Sequence, residues 1–154
     1  MKETWNKYKR DNINSLISQT RQEIKISDKK IALSAAVKPN PKISKKKWSQ
    51  DWKTWINEEL LDFVVVMNYH EEKAKFDLNI ESIKKEIQVK KIDKIIIGIS
   101  IWNQESSDVQ VRVNESKQEK FKGISLFSYE SQKDDIFYFK NIFDNIDGKN
   151  DEYE

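Results

Sequence analysis

The chain has 154 residues, of which 37% are hydrophobic and 35% charged, and no stretch approaches the roughly 18 consecutive apolar residues of a membrane span. We therefore expect one domain and no membrane span. Twenty-eight Lys and Arg and 26 Asp and Glu leave a net charge of +2, and because both signs are mixed along the chain, we expect no nucleic-acid partner. The absence of cysteine excludes disulfides, thiolate nucleophiles and cysteine metal sites.

The N-terminal part of the chain predicts a helix and no secretory signal. Residues 1–7 lack the basic segment followed by about 7–15 apolar residues that directs export, so the chain as written is not expected to be exported. Over residues 12–26, apolar side chains such as Ile13, Ile17 and Ile24 fall on one helical face. The chain is therefore expected to open with a helix that follows no strand.

Four apolar runs then predict four strands. They begin about thirty residues apart and read IALSAAV at 31–37, LDFVVVMNY at 61–69, IIIGISIW at 95–102 and GISLFSY at 123–129. Each run is apolar over much of its length instead of alternating, which is typical of strands buried on both faces of a parallel sheet. Parallel strands need crossover connections, so a helix is expected after each.

The segments between and after the strands supply these helices. Residues 48–59 and 78–88 carry apolar side chains at helical spacing, and residues 134–146 do so after the last strand. Residues 107–120 predict a helix too, although the alternation of Val109, Val111 and Val113 also suits a strand. Residues 147–154 are expected to form a polar tail. The predicted fold class is α/β, a helix followed by four βα units, which is half of a TIM (β/α)8 barrel of about 250 residues.

Ligands of such sheets bind at the carboxyl ends of the strands, so the residues after each apolar run are the candidates for a site. Tyr69, Trp102 and Tyr129 each offer an aromatic ring beside a hydrogen-bonding group. Rings that stack on a pyranose, with amide or hydroxyl partners at its edge, are typical of sugar sites. Tyr129 and Trp102 could equally cap the core as amphipathic aromatic residues.

Two further features carry less functional weight. His70 is the single histidine, and although Glu71 and Glu72 follow it, adjacent residues point apart, so we expect neither a metal nor any other cofactor. The lysine run at 45–47 precedes the predicted helix at 48–59 and is balanced by acidic residues, so a solvated loop is expected there. The chain has no glycine-rich phosphate loop, GxSxG or HExxH motif.

Several motifs occur in a fixed order and spacing: WxxYxRDNI at 5–13, LSAAVxP at 33–39, QDWxxW at 50–55, and LDFV continuing to MxY at 61–69. Together they resemble the glycosyl hydrolase-like 10 family. Residues 98–100 and 123–129 resemble the last two strands of the same barrel. The resemblance makes residues 1–146 the C-terminal half of that barrel, from helix four to helix eight, with 147–154 as the tail.

This resemblance implies a TIM barrel that acts on glycosidic bonds of a bacterial polysaccharide or of peptidoglycan, in an extracytoplasmic parent protein. The family's expected catalytic acid lies at the end of strand four, in a DYxRYP segment that would precede Trp5. Met67, Asn68 and Tyr69 are similar to the sixth-strand Met-x-Tyr-Asp of family 18 chitinases, where the tyrosine assists the substrate's acetamido group. His70 stands where those enzymes have Asp.

Two functional hypotheses follow. In the first, the chain is part of a glycoside hydrolase and contacts the glycan through Met67, Tyr69, His70, Trp102 and Tyr129. No residue of this chain is assigned as the catalytic acid, so the chain is expected to be inactive alone. Its partner would be an N-terminal half barrel or a second copy, because the first and last strands would present open edges. In the second, it is a non-catalytic module that binds glycan or protein. A remnant of a split gene fits the same residues.

Overall fold

A computed structural model describes residues 2–27 and 29–144, which form one parallel sheet with helices connecting its strands. The N-terminal helix is α1 (Lys2–Ile26), and the remaining elements in chain order are β1 (Ser34–Val37), α2 (Pro41–Trp48), α3 (Trp52–Asn57), β2 (Phe63–Met67), α4 (Lys73–Glu86), β3 (Ile95–Ser100), α5 (Ser106–Gln118), β4 (Gly123–Phe127) and α6 (Ile136–Phe143). Short 3-10 turns span Val89–Lys94, before β3, and Tyr129–Ser131, after β4.

The four strands are parallel and lie in the order β1-β2-β3-β4, with β1 and β4 outermost among the described residues. This arrangement confirms the predicted α/β fold and is consistent with half of a TIM barrel. The paired strands are shorter than the apolar runs, because strand pairing stops where the chain leaves each strand and turns toward the following helix. Tyr69, Trp102 and Tyr129 consequently lie beyond the strands, in the loops at their carboxyl ends.

The two faces of the sheet are buried to different extents. On one face, residues such as Val64, Val66 and Ile97 are fully buried in a core built with the helices. The register places a second set of residues on the other face, which we call the open face: Ser34, Ala36, Phe63, Val65, Met67, Ile96, Gly98, Ser100, Gly123, Ser125 and Phe127. Val65, Met67 and Ile96 are only half-buried there. The expectation that both faces are buried is therefore wrong within the described residues.

The region predicted as one helix over 48–59 contains α3 at 52–57, and Trp48 is the last residue of a separate helix, α2, that was not predicted. Pro41 occupies the first position of α2, and the side chain of Asn40 caps it by accepting a hydrogen bond from the Ile43 N–H at 3.0 Å. Ser49 ends α2 in the left-handed conformation with φ 59°. The lysine run at 45–47 therefore lies in the last turn of α2 and not in the expected loop. The helix dipole stabilises positive charges at that end of a helix.

The other predicted helices, α1, α4, α5 and α6, differ from expectation at one or both ends. α1 begins at Lys2 instead of residue 12, and α4 begins at Lys73 instead of residue 78. α5 confirms the predicted helix over 107–120 and excludes the strand that the valine alternation allowed. In α6, Asp135 caps the N-terminus by accepting from the N–H groups of Phe137 and Tyr138. Residues 145–146 of the predicted last helix, and the tail at 147–154, lie outside the described residues.

Polar contacts attach α1 to α3 and to the segment that leads into β2. Arg21 lies 2.9 Å from the Asp62 carboxylate and donates through Nε to the Leu60 carbonyl at 3.0 Å. The indole N–H of the buried Trp55 donates to Asn14 Oδ1 at 2.6 Å.

Among the helices of the described residues, none combines the length and the hydropathy needed to cross a membrane.

Candidate functional site

Three aromatic rings from successive strands meet at the carboxyl edge of the sheet. Tyr69, two residues beyond β2, stacks on Phe127 at the end of β4, with ring centroids 5.5 Å apart and planes 12° from parallel. Trp102, beyond β3, meets both rings edge-on, at 5.5 Å from Tyr69 and 5.8 Å from Phe127. Trp102 is 47% exposed and Phe127 is 52% exposed. We call Tyr69, Trp102 and Phe127 the aromatic cluster.

Gly98 makes room for the Tyr69 ring. A Cβ atom at position 98 would lie 3.1 Å from Cε1 of Tyr69 and 2.9 Å from the Val66 carbonyl oxygen, both closer than ordinary van der Waals contact. Because Gly98 has no such atom, the Tyr69 phenol ring lies directly against β3, the strand between β2 and β4. Burial raises the pKa of the Tyr69 hydroxyl above 10.0, so the group is protonated at neutral pH and able to donate a hydrogen bond.

The loop after β2 is fixed by a buried amide. Asn68 is fully buried; its Nδ2 donates to the Phe76 carbonyl at 3.0 Å, and its Oδ1 accepts from Asn79 Nδ2 at 2.8 Å. Because Asn68 points toward α4, its neighbours Met67 and Tyr69 point to the open face. Asn68 therefore holds the loop in place and is not available to a ligand.

A buried arginine connects this loop to the next one. Arg112 of α5 is 2% exposed, donates through Nη2 to the Glu71 carbonyl, and lies with its guanidinium 5.5 Å from the centre of the Phe76 ring. The Glu71 carboxylate in turn accepts from Asn103 Nδ2 in the loop after β3. These contacts brace the two loops that carry Tyr69 and Trp102. Arg112 is not predicted from the sequence as part of the site, because a single arginine in an amphipathic helix predicts exposure.

Tyr138 of α6 completes the bracing of the β3 loop. Its hydroxyl donates to the Gln104 carbonyl at 2.7 Å and lies 3.2 Å from the Ile101 carbonyl. Burial, followed by the nearby Glu105 carboxylate, raises the pKa of Tyr138 to about 12. The Gln104 side chain also donates to the Ser100 hydroxyl at 2.7 Å. The loop that bears Trp102 is thus held on both sides.

The predicted site residues occupy different surroundings. Tyr69 and Trp102 come together in the aromatic cluster, and Met67 lies below them, half-buried on the open face. His70 is exposed in the loop after β2. Tyr129 is 67% exposed and stacks on Phe139 of α6 at 5.5 Å, instead of on the cluster. Phe127 was missed; its pairing with Ser100 places it beside Trp102, and no sequence pattern in an apolar run reveals that register.

The sequence model of the family described as glycosyl hydrolase-like 10 matches residues 1–120, which is more than half of the chain. The chain belongs to the glycosyl hydrolase-like 10 family. Membership suggests a glycosidase-like function. No curated protein and no solved structure matches the chain. The matched part of this glycosyl hydrolase-like 10 chain includes Tyr69 and Trp102, whereas Phe127 and Tyr129 lie beyond it.

Three acidic residues near the carboxyl edge of this glycosyl hydrolase-like 10 chain, Glu71, Glu72 and Glu130, are exposed and already engaged. Besides the contact between Glu71 and Asn103, Glu72 forms an ion pair with Lys75 at 2.6 Å and Glu130 forms one with Lys133 at 2.5 Å. Within the part of the chain that the structure describes, no three His, Asp or Glu side chains are grouped closely enough to hold a metal ion.

Proposed function

We propose that this chain supplies the aromatic part of the glycan site in a glycoside hydrolase barrel that acts on a bacterial polysaccharide or on peptidoglycan glycan. The aromatic cluster carries the proposal. Tyr69 and Trp102 bind the sugar, with Met67 below them and with His70 and Tyr129 at the margin of the site. The catalytic acid comes from the other half of the barrel, on the same polypeptide or on another.

The chemistry of the cluster supports a sugar ligand. A pyranose has apolar C–H faces and a polar rim, so it is bound by an exposed ring with hydrogen-bonding groups beside it. Trp102 offers such an exposed ring. The protonated Tyr69 hydroxyl can donate to a sugar hydroxyl or to an acetamido oxygen. The bracing by Arg112 and Tyr138 keeps the rings oriented before the ligand arrives.

The need for a second half follows from reaction chemistry and from the shape of the sheet. Hydrolysis of a glycosidic bond requires a carboxylic acid on the leaving oxygen and a carboxylate or a substrate group opposite it. Glu72 and Glu130 are each held in an ion pair, and Glu71 is held by Asn103. A closed barrel also needs strands beside β1 and β4 and a cover for the open face.

Binding of chitotetraose, a neutral tetrasaccharide of N-acetylglucosamine, tests the proposed site. We expect Trp102→Ala and Tyr69→Ala each to weaken binding by about tenfold, the usual loss when a central aromatic contact is removed. Phe143→Ala is the matched control, because Phe143 is 45% exposed like Trp102 but lies on α6. Equal effects of the three substitutions, or no binding by the unaltered chain, would refute the assignment.

Hydrolysis is tested separately. We expect the 154-residue chain to release no reducing sugar from peptidoglycan, and to do so when joined to, or mixed with, a strand-four half barrel from a family member. The Trp102→Ala variant of that assembly provides the control for site-dependent activity. A folded, glycan-binding assembly that never releases sugar would refute the hydrolase proposal.

A non-catalytic glycan-binding module is the second candidate. The engagement of Glu71, Glu72 and Glu130 favours it, because none of these carboxylates is placed as an unpaired acid beside the aromatic cluster. Saturable binding of chitotetraose that depends on Trp102, without hydrolysis in any assembly, is the result this alternative predicts.

A further inference from the structure

A second group of exposed aromatic rings lies where α1 meets the end of α2. Trp5 and Tyr8 of α1 stack with centroids 5.6 Å apart and planes 19° from parallel, and they are 58% and 60% exposed. Trp48, the last residue of α2, is 49% exposed. A groove of about 350 Å³ runs between the helices, within the range of about 300–1,000 Å³ that small ligands occupy. We call it the α1–α2 groove; Tyr8, Asn12, Lys47 and Trp48 are among its lining residues.

Lysine ammonium groups lie against these rings. Lys38 Nζ is 5.3 Å and Lys47 Nζ is 5.6 Å from the centre of the Trp48 ring, and Lys9 Nζ is 5.9 Å from that of Trp5. Within residues 2–27 and 29–144, none of the three ammonium groups forms an ion pair with a carboxylate. Lys9 and Lys47 line the groove, and Lys38 lies against the Trp48 ring that lines it, so the groove carries positive charge that no ion pair within these residues compensates.

The nearby carboxylates do not neutralise the groove. Asp11 of α1 is paired with Lys7 at 2.6 Å, and the buried Asp51 is paired with Lys45 at 2.7 Å. Each of these acids is thus matched by a cation of its own. The excess charge of Lys9, Lys38 and Lys47 is left for a ligand.

The groove lies at the same edge of the sheet as the aromatic cluster. Lys38 is the first residue after β1, and Tyr69 is the second residue after β2, so both lie at the carboxyl ends of neighbouring strands. The main chain of Lys38 is fixed by Gln50, whose Oε1 accepts its N–H at 3.0 Å, and by the Trp52 indole, which donates to its carbonyl at 3.1 Å. The turn between α2 and α3 is therefore anchored to the carboxyl end of β1, where a bound glycan would pass.

We propose that the α1–α2 groove binds a sugar residue that carries a carboxylate. The sugar ring packs on Tyr8 or Trp48, and its carboxylate accepts charge-assisted hydrogen bonds from Lys38 and Lys47. This subsite rests on the proposed function, because it assigns an acidic residue to the glycan that the aromatic cluster binds. A neutral sugar or an apolar protein surface would leave the ammonium groups without partners.

The test uses the ¹⁵N-labelled full chain and two ligands, tetragalacturonate and the neutral chitotetraose. The indole N–H resonance of Trp48, assigned with the Trp48→Phe variant, reports on the groove, and that of Trp102 reports on the aromatic cluster. The buried Trp55 is the internal control, because its indole N–H is held by Asn14. We expect tetragalacturonate to shift the Trp48 resonance saturably, and chitotetraose to shift it only at much higher concentration.

Charge variants test the role of the lysines. We expect Lys47→Gln or Lys38→Gln to raise the Kd for tetragalacturonate by about tenfold, the usual loss of a charge-assisted hydrogen bond. Lys46→Gln is the matched control, because Lys46 belongs to the same helical turn and removes the same charge but contacts neither ring nor groove. Equal effects of Lys46→Gln and Lys47→Gln would show nonspecific attraction and overturn the proposal.

The two sites fail independently. If chitotetraose shifts Trp102 and tetragalacturonate leaves Trp48 unchanged, the acidic subsite is refuted and the aromatic cluster stands. If only Trp48 responds, the subsite is supported and the assignment of the aromatic cluster is refuted. If neither resonance responds, both are refuted. Equal affinity of the two tetrasaccharides for the groove would also refute the requirement for a carboxylate.

Discussion

Replacing Gly98 by alanine is expected to destabilise the chain and to displace Tyr69. The new Cβ atom would lie 2.9 Å from the Val66 carbonyl oxygen, which belongs to the neighbouring strand and cannot rotate away. It would also lie 3.1 Å from Cε1 of Tyr69, whose ring can move only by leaving its stack on Phe127. Overpacking of this kind costs about 1–3 kcal/mol, and the backbone contact places Gly98→Ala in the upper part of that range.

Gly123→Ala is the matched control. Gly123 also lies in a strand, β4, but a Cβ atom there would meet no atom within 4 Å. Neither glycine has the positive φ that alanine avoids, so at position 123 alanine is expected to be neutral or to stabilise by about 0.4–1 kcal/mol through the unfolded chain.

Urea unfolding followed by circular dichroism measures both variants, and binding of chitotetraose measures the position of Tyr69. We expect Gly98→Ala to lower the unfolding midpoint and to weaken binding, and Gly123→Ala to do neither. If the two variants unfold within about 0.5 kcal/mol of each other, which is the scale of a surface substitution, the close packing of Tyr69 on Gly98 is refuted.

Three further predictions concern stability and assembly. Tyr138→Phe is expected to lower the free energy of unfolding by about 1–2 kcal/mol at pH 7. Because the pKa of Tyr138 is raised to about 12, the stability that its hydroxyl contributes is complete below about pH 10 and is lost as the pH rises toward 12. Urea unfolding should therefore show the difference in stability between the variant and the unaltered chain closing over that interval. The hydrogen bond from Arg21 holds the pKa of Asp62 below its ordinary 3.8. At pH 7, Asp62→Asn is expected to lower the free energy of unfolding by about 1 kcal/mol or less, as for a partly exposed pair. This difference from the unaltered chain should disappear as the pH falls through 3.8 and below, and a constant difference at pH 7 and pH 3 would contradict the assignment. Sedimentation of the unaltered chain should show species larger than 18.4 kDa, and Ser125→Lys, which puts a charge on an outermost strand, should reduce them; a monomer in both cases would contradict the predicted pairing of strand edges.

The sequence predicted the order of the strands and their parallel pairing, because continuous apolar runs at a regular interval leave few other ways to bury them. It did not predict the break at Ser49, where the left-handed conformation is adopted by a residue that usually avoids it. The Asn40-Pro41 pair that begins α2 was a readable signal, since a capping side chain followed by proline marks the start of a helix.

The candidate site was predictable only in part. Tyr69 and Trp102 follow apolar runs, so their position at the carboxyl edge follows from parallel pairing alone. The membership of Phe127 depends on its register with Ser100, and the separate stacking of Tyr129 depends on where α6 packs. Both are tertiary features that no local pattern encodes. Arg112 could not be foreseen for the same reason, because its burial depends on the path of the loop after β2.

The alternating burial of β2 gives its residues different freedom to change during evolution. Val64 and Val66 belong to the core that the helices close, so a smaller side chain there leaves a cavity and weakens folding of the chain itself. Val65 and Met67 lie on the half-covered side, where, in the barrel proposed above, a substitution would alter mainly the affinity for the part that covers this side. If the barrel forms as proposed, natural variation on this side can tune the strength of the assembly, from a permanent union to an exchangeable one, without changing how the four-stranded unit folds.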